Sequence, residues 1–101
     1  MALAYITCKD EQEAVKISMH LLGKKLIACS NIYPIRSLYH WKGKIQDEKE
    51  FAIMAKTKGK NFEKIKSEVR KIHSYKVPCI LNIYAEANEE HEKWANKEVK
   101  Q

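Results

Sequence analysis

Residues 26–57 constrain the fold of this chain more than any other stretch, because two long strand-like segments flank a single tight-turn dipeptide, Lys42-Gly43. Before the turn, Ile35, Ser37, Tyr39 and Trp41 fall on one face and Arg36, Leu38 and His40 on the other, with no helical period. After it, Phe51, Ile53 and Ala55 alternate with Ala52, Met54 and Lys56. Pro34 has no amide to donate and predicts a bulge, a bend or an edge position. Strands usually run about 5–6 residues, so arms this long predict a hairpin that overhangs its own domain. A ribbon alone in water is marginal and its edges invite pairing, so a second subunit is its simplest cover.

The rest of the chain supplies what the hairpin packs on. Residues 2–8 are almost continuously apolar and predict a strand buried on both faces. Asp10-Glu11-Gln12-Glu13 resembles a capping box, with Asp10 as N-cap and Glu13 reaching back. Ala14, Ile17, Leu21 and Leu22 then form one helical stripe, and Gly23 is placed to end it. Asn61 is the expected cap of a second helix, whose apolar positions are Phe62, Ile65, Val69 and Ile72. Residues 79–85 predict a last strand, and Asn88 a short helix anchored by Trp94 and Val99. The order is βαββαβ plus a C-terminal helix. That is an α+β, ferredoxin-like sandwich, with two βαβ halves sharing one antiparallel sheet and helices on one face.

At 101 residues the chain has room for one domain, spanning 1–101. The opening residues lack a basic leader and no segment approaches the roughly 18 apolar residues of a membrane span, so a cytoplasmic protein is expected. Cys8, Cys29 and Cys79 are odd in number and form no C-x-x-C pair, which predicts reduced thiols. The formal charge of +6 comes from Lys and Glu interspersed along the chain, the pattern of a solvated surface. The paired aromatic strand motif of RNA-binding folds is missing, so nucleic acid is not the expected partner. Neither a Gly-rich phosphate loop nor G-x-S-x-G nor H-E-x-x-H occurs, and the chain is read as a non-enzyme with no obligatory cofactor.

A few side chains stand out. His73, at the end of the second helix, is either a cap of that helix or a ligand. Either Cys79 is simply buried in the last strand, or the chain reversal over 73–78 brings it back towards His73, where imidazole with thiolate selects copper or zinc over magnesium or calcium. Tight binding needs a third ligand, from His91, Cys8 or a neighbouring subunit. Lys56, His73 and Tyr75 are candidates for a cleft that receives a small anion. Tyr39, Trp41 and Trp94 are expected at a subunit contact, where such side chains are enriched.

The same residues carry a resemblance. Leu26-Ile27-Ala28-Cys29-Ser30-Asn31, Ser37-Leu38-Tyr39-His40-Trp41-Lys42-Gly43-Lys44, Lys56-Thr57, His73-Ser74-Tyr75-Lys76-Val77-Pro78 and Trp94 follow one another as in the CutA divalent-cation tolerance family, which the chain resembles over almost its whole length. The resemblance implies a ferredoxin-like subunit, a homotrimer built by extended hairpins, and a role in tolerance to copper and other divalent metal ions. A likeness in architecture to trimeric PII proteins makes a small-ligand sensor or signalling scaffold the alternative. Ser74 stands in place of the family's usual Pro, Cys79 in place of Glu or Ala, and His91-Glu92 in place of Tyr-Leu. Copper contacts proposed in the family include a cysteine near the end of the first strand; Cys8 lies near that register, and the role is not carried over to it.

Overall fold

A computed structural model describes residues 1–100. Its elements are β1 (Ala2–Cys8), α1 (Glu11–Gly23), β2 (Cys29–Trp41), β3 (Lys44–Thr57), α2 (Phe62–Ile72), β4 (Ile80–Tyr84) and α3 (Glu89–Glu98), with one 3-10 turn at Gly59–Asn61. The four strands form one sheet in the order β2-β3-β1-β4, every neighbouring pair antiparallel. This is the ferredoxin-like arrangement expected from the element order. Among the described residues no helix is long and apolar enough to cross a membrane.

The core lies between the sheet and helices α1 and α2, where Ile6, Ile17, Leu21, Ile53, Ile65 and Val69 are fully buried. Alternation along β1 turns Ala4, Ile6 and Cys8 into that core. Leu3, Tyr5 and Thr7 turn the other way and are only half-buried. One face of β1 is therefore closed within the subunit, not both as its apolar run suggests. The other face also carries the exposed side chains of Tyr33, Leu81 and Ile83.

Helix α1 begins as its sequence dictates, with the Glu13 amide donating to Asp10 Oδ1 at 2.8 Å. Its stripe is narrower than expected, for Leu22 remains exposed. The helix does end at Gly23, but the left-handed residue of the reversal is Lys25, at φ 57°. Residues 26–28 were expected to open the second strand and do not. They are a buried connector whose polar groups find partners outside the β2–β3 ladder. Leu26 O accepts from Thr57 Oγ1 at 2.6 Å and Asn61 Nδ2 at 3.5 Å, and the Ala28 amide donates to Lys56 O at 2.8 Å. Asn61 thus serves the connector and gives α2 no side-chain cap, and Asn88 gives none to α3. Trp94 is not the anchor of α3 either: it is 44% exposed, while Ala95 and Val99 pack against Ala28 and Met1.

The hairpin is as long as the sequence predicts. Lys42 (φ 51°) and Gly43 (φ 76°) are both left-handed, the type I′ geometry whose twist matches paired strands. β1 pairs with β3 only as far as Cys8↔Phe51. The pairs from Ile35↔Glu50 to Trp41↔Lys44 have no third strand beside them. At about 3.3 Å per residue they project roughly 23 Å, and the long axis of the subunit is 44 Å. Pro34 sits in β2, an edge strand, where its missing amide costs no pairing inside the sheet. Arg36 donates to both carboxylate oxygens of Asp47, at 2.9 and 2.7 Å, and Tyr39 Oη donates to Glu48 Oε1 at 2.9 Å, lashing the two arms together.

Candidate metal centre

Only Lys9 and Asp10 separate β1 from α1, so the end of the strand and the first turn of the helix are forced together. Cys8 points into the core from the strand, and Glu13 sits in the helix's first turn. The third member arrives from far along the chain. His73 is the C-cap of α2, and its extended backbone (φ −73°, ψ 140°) turns the ring back towards β1. One ligand atom from each of Cys8, Glu13 and His73 lies within 4.8 Å of the other two.

The hydrogen bonds define the chemical state of each group. His73 Nε2 is 2.8 Å from Thr7 O, and the Tyr75 amide donates to His73 Nδ1 at 3.0 Å. A carbonyl only accepts and an amide only donates, so the ring is neutral with its proton on Nε2. An imidazole held this way, N–H to a backbone carbonyl, has the orientation of a metal-ligating histidine, and an ion at Nδ1 would have to displace the Tyr75 amide from that nitrogen's single lone pair. Glu13 Oε1 accepts from the Lys9 amide at 3.0 Å and Oε2 from the Ser74 amide at 2.8 Å. Burial opposes the charge on this carboxylate, but the Lys9 and Ser74 donors outweigh it and hold the group below the usual carboxylate range. Burial first, and then the neighbouring carboxylates of Glu13, Glu50 and Asp10, push the Cys8 thiol up to about 12.

The result is one buried anion beside a protonated thiol and a neutral imidazole. An incoming cation would displace the thiol proton and gain a thiolate, an imidazole nitrogen and a carboxylate oxygen. A thiolate, an imidazole and a carboxylate together suit zinc or copper, not an oxygen-seeking ion. Glu13 also lines a surface hollow of about 270 Å³ with Lys9, Lys16 and Ser74, while Cys8 and His73 lie beneath it, out of contact with solvent.

The remaining expected site residues fall into separate places. Cys79 is outside the cluster. Because Ile6 pairs with Ile80, Cys79 stands opposite Thr7 on the face turned away from the helices, and its thiol bonds the Thr7 side chain. His73 and Cys79 therefore both reach Thr7, one at its carbonyl and the other at its hydroxyl. Tyr75 packs against His73 with ring centroids 4.9 Å apart, and its hydroxyl donates to the buried Glu50 at 2.5 Å. Burial and then that carboxylate raise the Tyr75 phenol above its ordinary value. Lys56 is six residues along β3 from Glu50, about 20 Å away in a strand, and donates to Asn31 Oδ1 at 2.7 Å. Within one subunit, then, His73 and Tyr75 are together and Lys56 is not with them. Trp41 is 52% exposed near the tip of the ribbon, and Tyr39 is exposed on the same face.

A four-stranded antiparallel sheet with helices on one face, an overhanging β2–β3 ribbon and a Cys–Glu–His cluster at the β1–α1 junction define a ferredoxin-like protein with the ligand set of a cation site. The sequence matches the family described as CutA1 divalent ion tolerance protein over residues 2–98, and the chain belongs to that family. A divalent-cation tolerance protein CutA of Archaeoglobus fulgidus is 47% identical over 79 residues, 78% of each chain. The solved structure of the periplasmic divalent cation tolerance protein CutA of the same organism superposes with a TM-score of 0.95, covering 99% of this chain and all of that one. The PII-like protein CutA of Nostoc sp. PCC 7120, in apo form, is 25% identical with a TM-score of 0.90 over 99% of this chain and 98% of that one.

Proposed function

We propose that this chain is a non-enzymatic, homotrimeric cation-tolerance protein that holds copper or zinc at Cys8, Glu13 and His73. The observation that carries the reading is the convergence of a thiol, a carboxylate and an oriented imidazole within 4.8 Å. Trimerisation is supported by the unpaired length of the ribbon and by the apolar side chains of Leu38, Trp41, Ile45, Leu81 and Tyr84, which water would otherwise cover. Three free thiols support a reducing, cytoplasmic setting, whereas the Archaeoglobus relative is described as periplasmic; cell fractionation decides. Calorimetry with Zn(II) and Cu(I) tests the site on wild type, His73→Ala, Cys8→Ser and Cys79→Ser. Affinity should fall at least tenfold in the first two variants and hold in the third. Loss only in Cys79→Ser would move the sulfur ligand to the other side of the sheet, and equal affinity in all four proteins would refute the site.

A PII-like sensor is the second reading, favoured by the likeness to the Nostoc protein and by the Tyr75–Glu50 pair beside the uncovered sheet face. In it, Tyr75 and His73 of one subunit meet Lys56 of the next across a cleft that takes a small anion. A thermal-shift screen of small anions on wild type and Lys56→Gln separates this reading from metal binding, since Lys56 is remote from the cluster.

A further inference from the structure

At the far end of α1 from the Cys–Glu–His cluster the surface opens into a cavity of about 390 Å³, a size typical of small-molecule sites. Its wall is formed where the reversal after α1 meets the middle of α2 and the end of the chain. Lys24, Lys25, Lys64 and Lys100 line it, with Ser67 and Glu68. Four lysines thus line it with a single acidic residue. That carboxylate is already engaged: Glu68 Oε1 is 2.8 Å from His20 Nε2 and 3.8 Å from Lys24 Nζ, and Oε2 is 2.8 Å from Lys71 Nζ. Lys71 first, then His20 and Lys24, hold its acid form down to a pKa of about 2. Lys25, Lys64 and Lys100 have no acidic partner among the described residues.

The C-terminal end of a helix ordinarily repels an anion, because its last carbonyls are unpaired. Here the reversal takes three of them. His20 O and Leu22 O accept from the Lys24 amide, Leu22 O also from Lys25, and Leu21 O from Leu26. Lys25 O is in turn taken by the Lys100 amide at 2.7 Å, which pins the chain end, and its lysine, to the rim.

We propose that this pocket binds a short inorganic polyphosphate of about triphosphate length. Several separated ammonium groups match a ligand that carries its charge along a chain, and lysine serves phosphate as a point charge. Leu26 is the one large apolar side chain in the lining and no aromatic ring joins it, so nothing there would stack on a nucleoside base. The site is independent of the metal centre, and either can fail without the other.

Calorimetry with sodium tripolyphosphate at about 0.15 M salt tests this, a Debye length of about 8 Å having removed diffuse attraction. One ion should bind per subunit. Lys64→Gln with Lys100→Gln should weaken it at least tenfold. Lys60→Gln with Lys76→Gln, exposed lysines outside the lining, should leave it within twofold. ATP should bind no tighter than tripolyphosphate. No saturable binding, an equal loss in both double variants, or ATP binding tenfold tighter would each overturn the proposal.

Discussion

Replacing Glu13 by Gln removes one oxygen and one charge at the point where β1, α1 and the end of α2 meet. Each carboxylate oxygen accepts one backbone amide, Lys9 at 3.0 Å and Ser74 at 2.8 Å, and the side chain is almost fully enclosed. A glutamine has a single oxygen. Whichever way its amide is turned, one buried backbone N–H faces an NH₂ group and goes unpaired. Hydrogen bonds to charged groups contribute about 1.5–3 kcal/mol each and neutral ones about 1. Losing one charged bond and downgrading the other should cost about 2–4 kcal/mol, a large share of the usual 5–15. The cost depends on pH with a definite sign. The folded carboxyl lies below its unfolded value, so its contribution is complete above about pH 5 and disappears as pH falls through the folded pKa. Urea unfolding of wild type and Glu13→Gln at equal protein concentration should show the full difference at pH 7 and a smaller one at the lowest pH at which the wild type still folds. A difference under about 0.5 kcal/mol at pH 7, or one of the same size at both pH values, would refute the assignment of these two bonds to an ionised Glu13.

Other substitutions test other parts of the structure. Cys8 is wholly enclosed with its thiol raised to about 12, so iodoacetamide at pH 8 should leave it unmodified in the native protein and label it only after denaturation, as peptide mass spectrometry would show. Early labelling of Cys8 would mean that the cluster is open. Gly43→Ala puts a Cβ at φ +76° and should cost about 1–2 kcal/mol in urea unfolding; a neutral result would mean that the I′ turn does not set the hairpin. Trp41→Asp should shift the mass by light scattering from about three subunits towards one, and an unchanged mass would take Trp41 out of the contact.

Much of the fold was legible because it depends on local rules. Asp10 caps α1, Phe62, Ile65, Val69 and Ile72 lie along α2, and Lys42-Gly43 turns the hairpin, each for reasons contained within a few residues. Residues 26–28 misled because a buried apolar connector and a strand read alike; only the long-range partners Lys56, Thr57 and Asn61 distinguish them. The site was half legible. His73 stood out by its place at a helix end and in a family motif. Glu13 did not, since its capping role seemed to account for it, and Cys8 looked like one more core residue of an apolar strand. A two-residue link between strand and helix was the signal that those two must be neighbours. The side of the sheet taken by Cys79 follows from pairing Ile6 with Ile80, a register the sequence does not contain.

The position of β1 at the centre of the sheet carries a cost during synthesis. It is the first element made, yet both of its neighbours, β3 and β4, come from later in the chain, the farther one ending at Tyr84. The β2–β3 hairpin can close on itself as soon as Thr57 has emerged, in microseconds, because its contacts are local. β1 has no such option: one of its edges waits for β3 and, at about 5–20 residues per second, the other waits several seconds for β4. During that interval a seven-residue apolar strand, with no proline and its first charge only at Lys9, is the segment most prone to join a neighbouring nascent copy. Closure of the hairpin occupies one edge of β3 and leaves the other for β1, so from then on the edge of β1 that waits for β4 is the one a neighbouring nascent copy can reach.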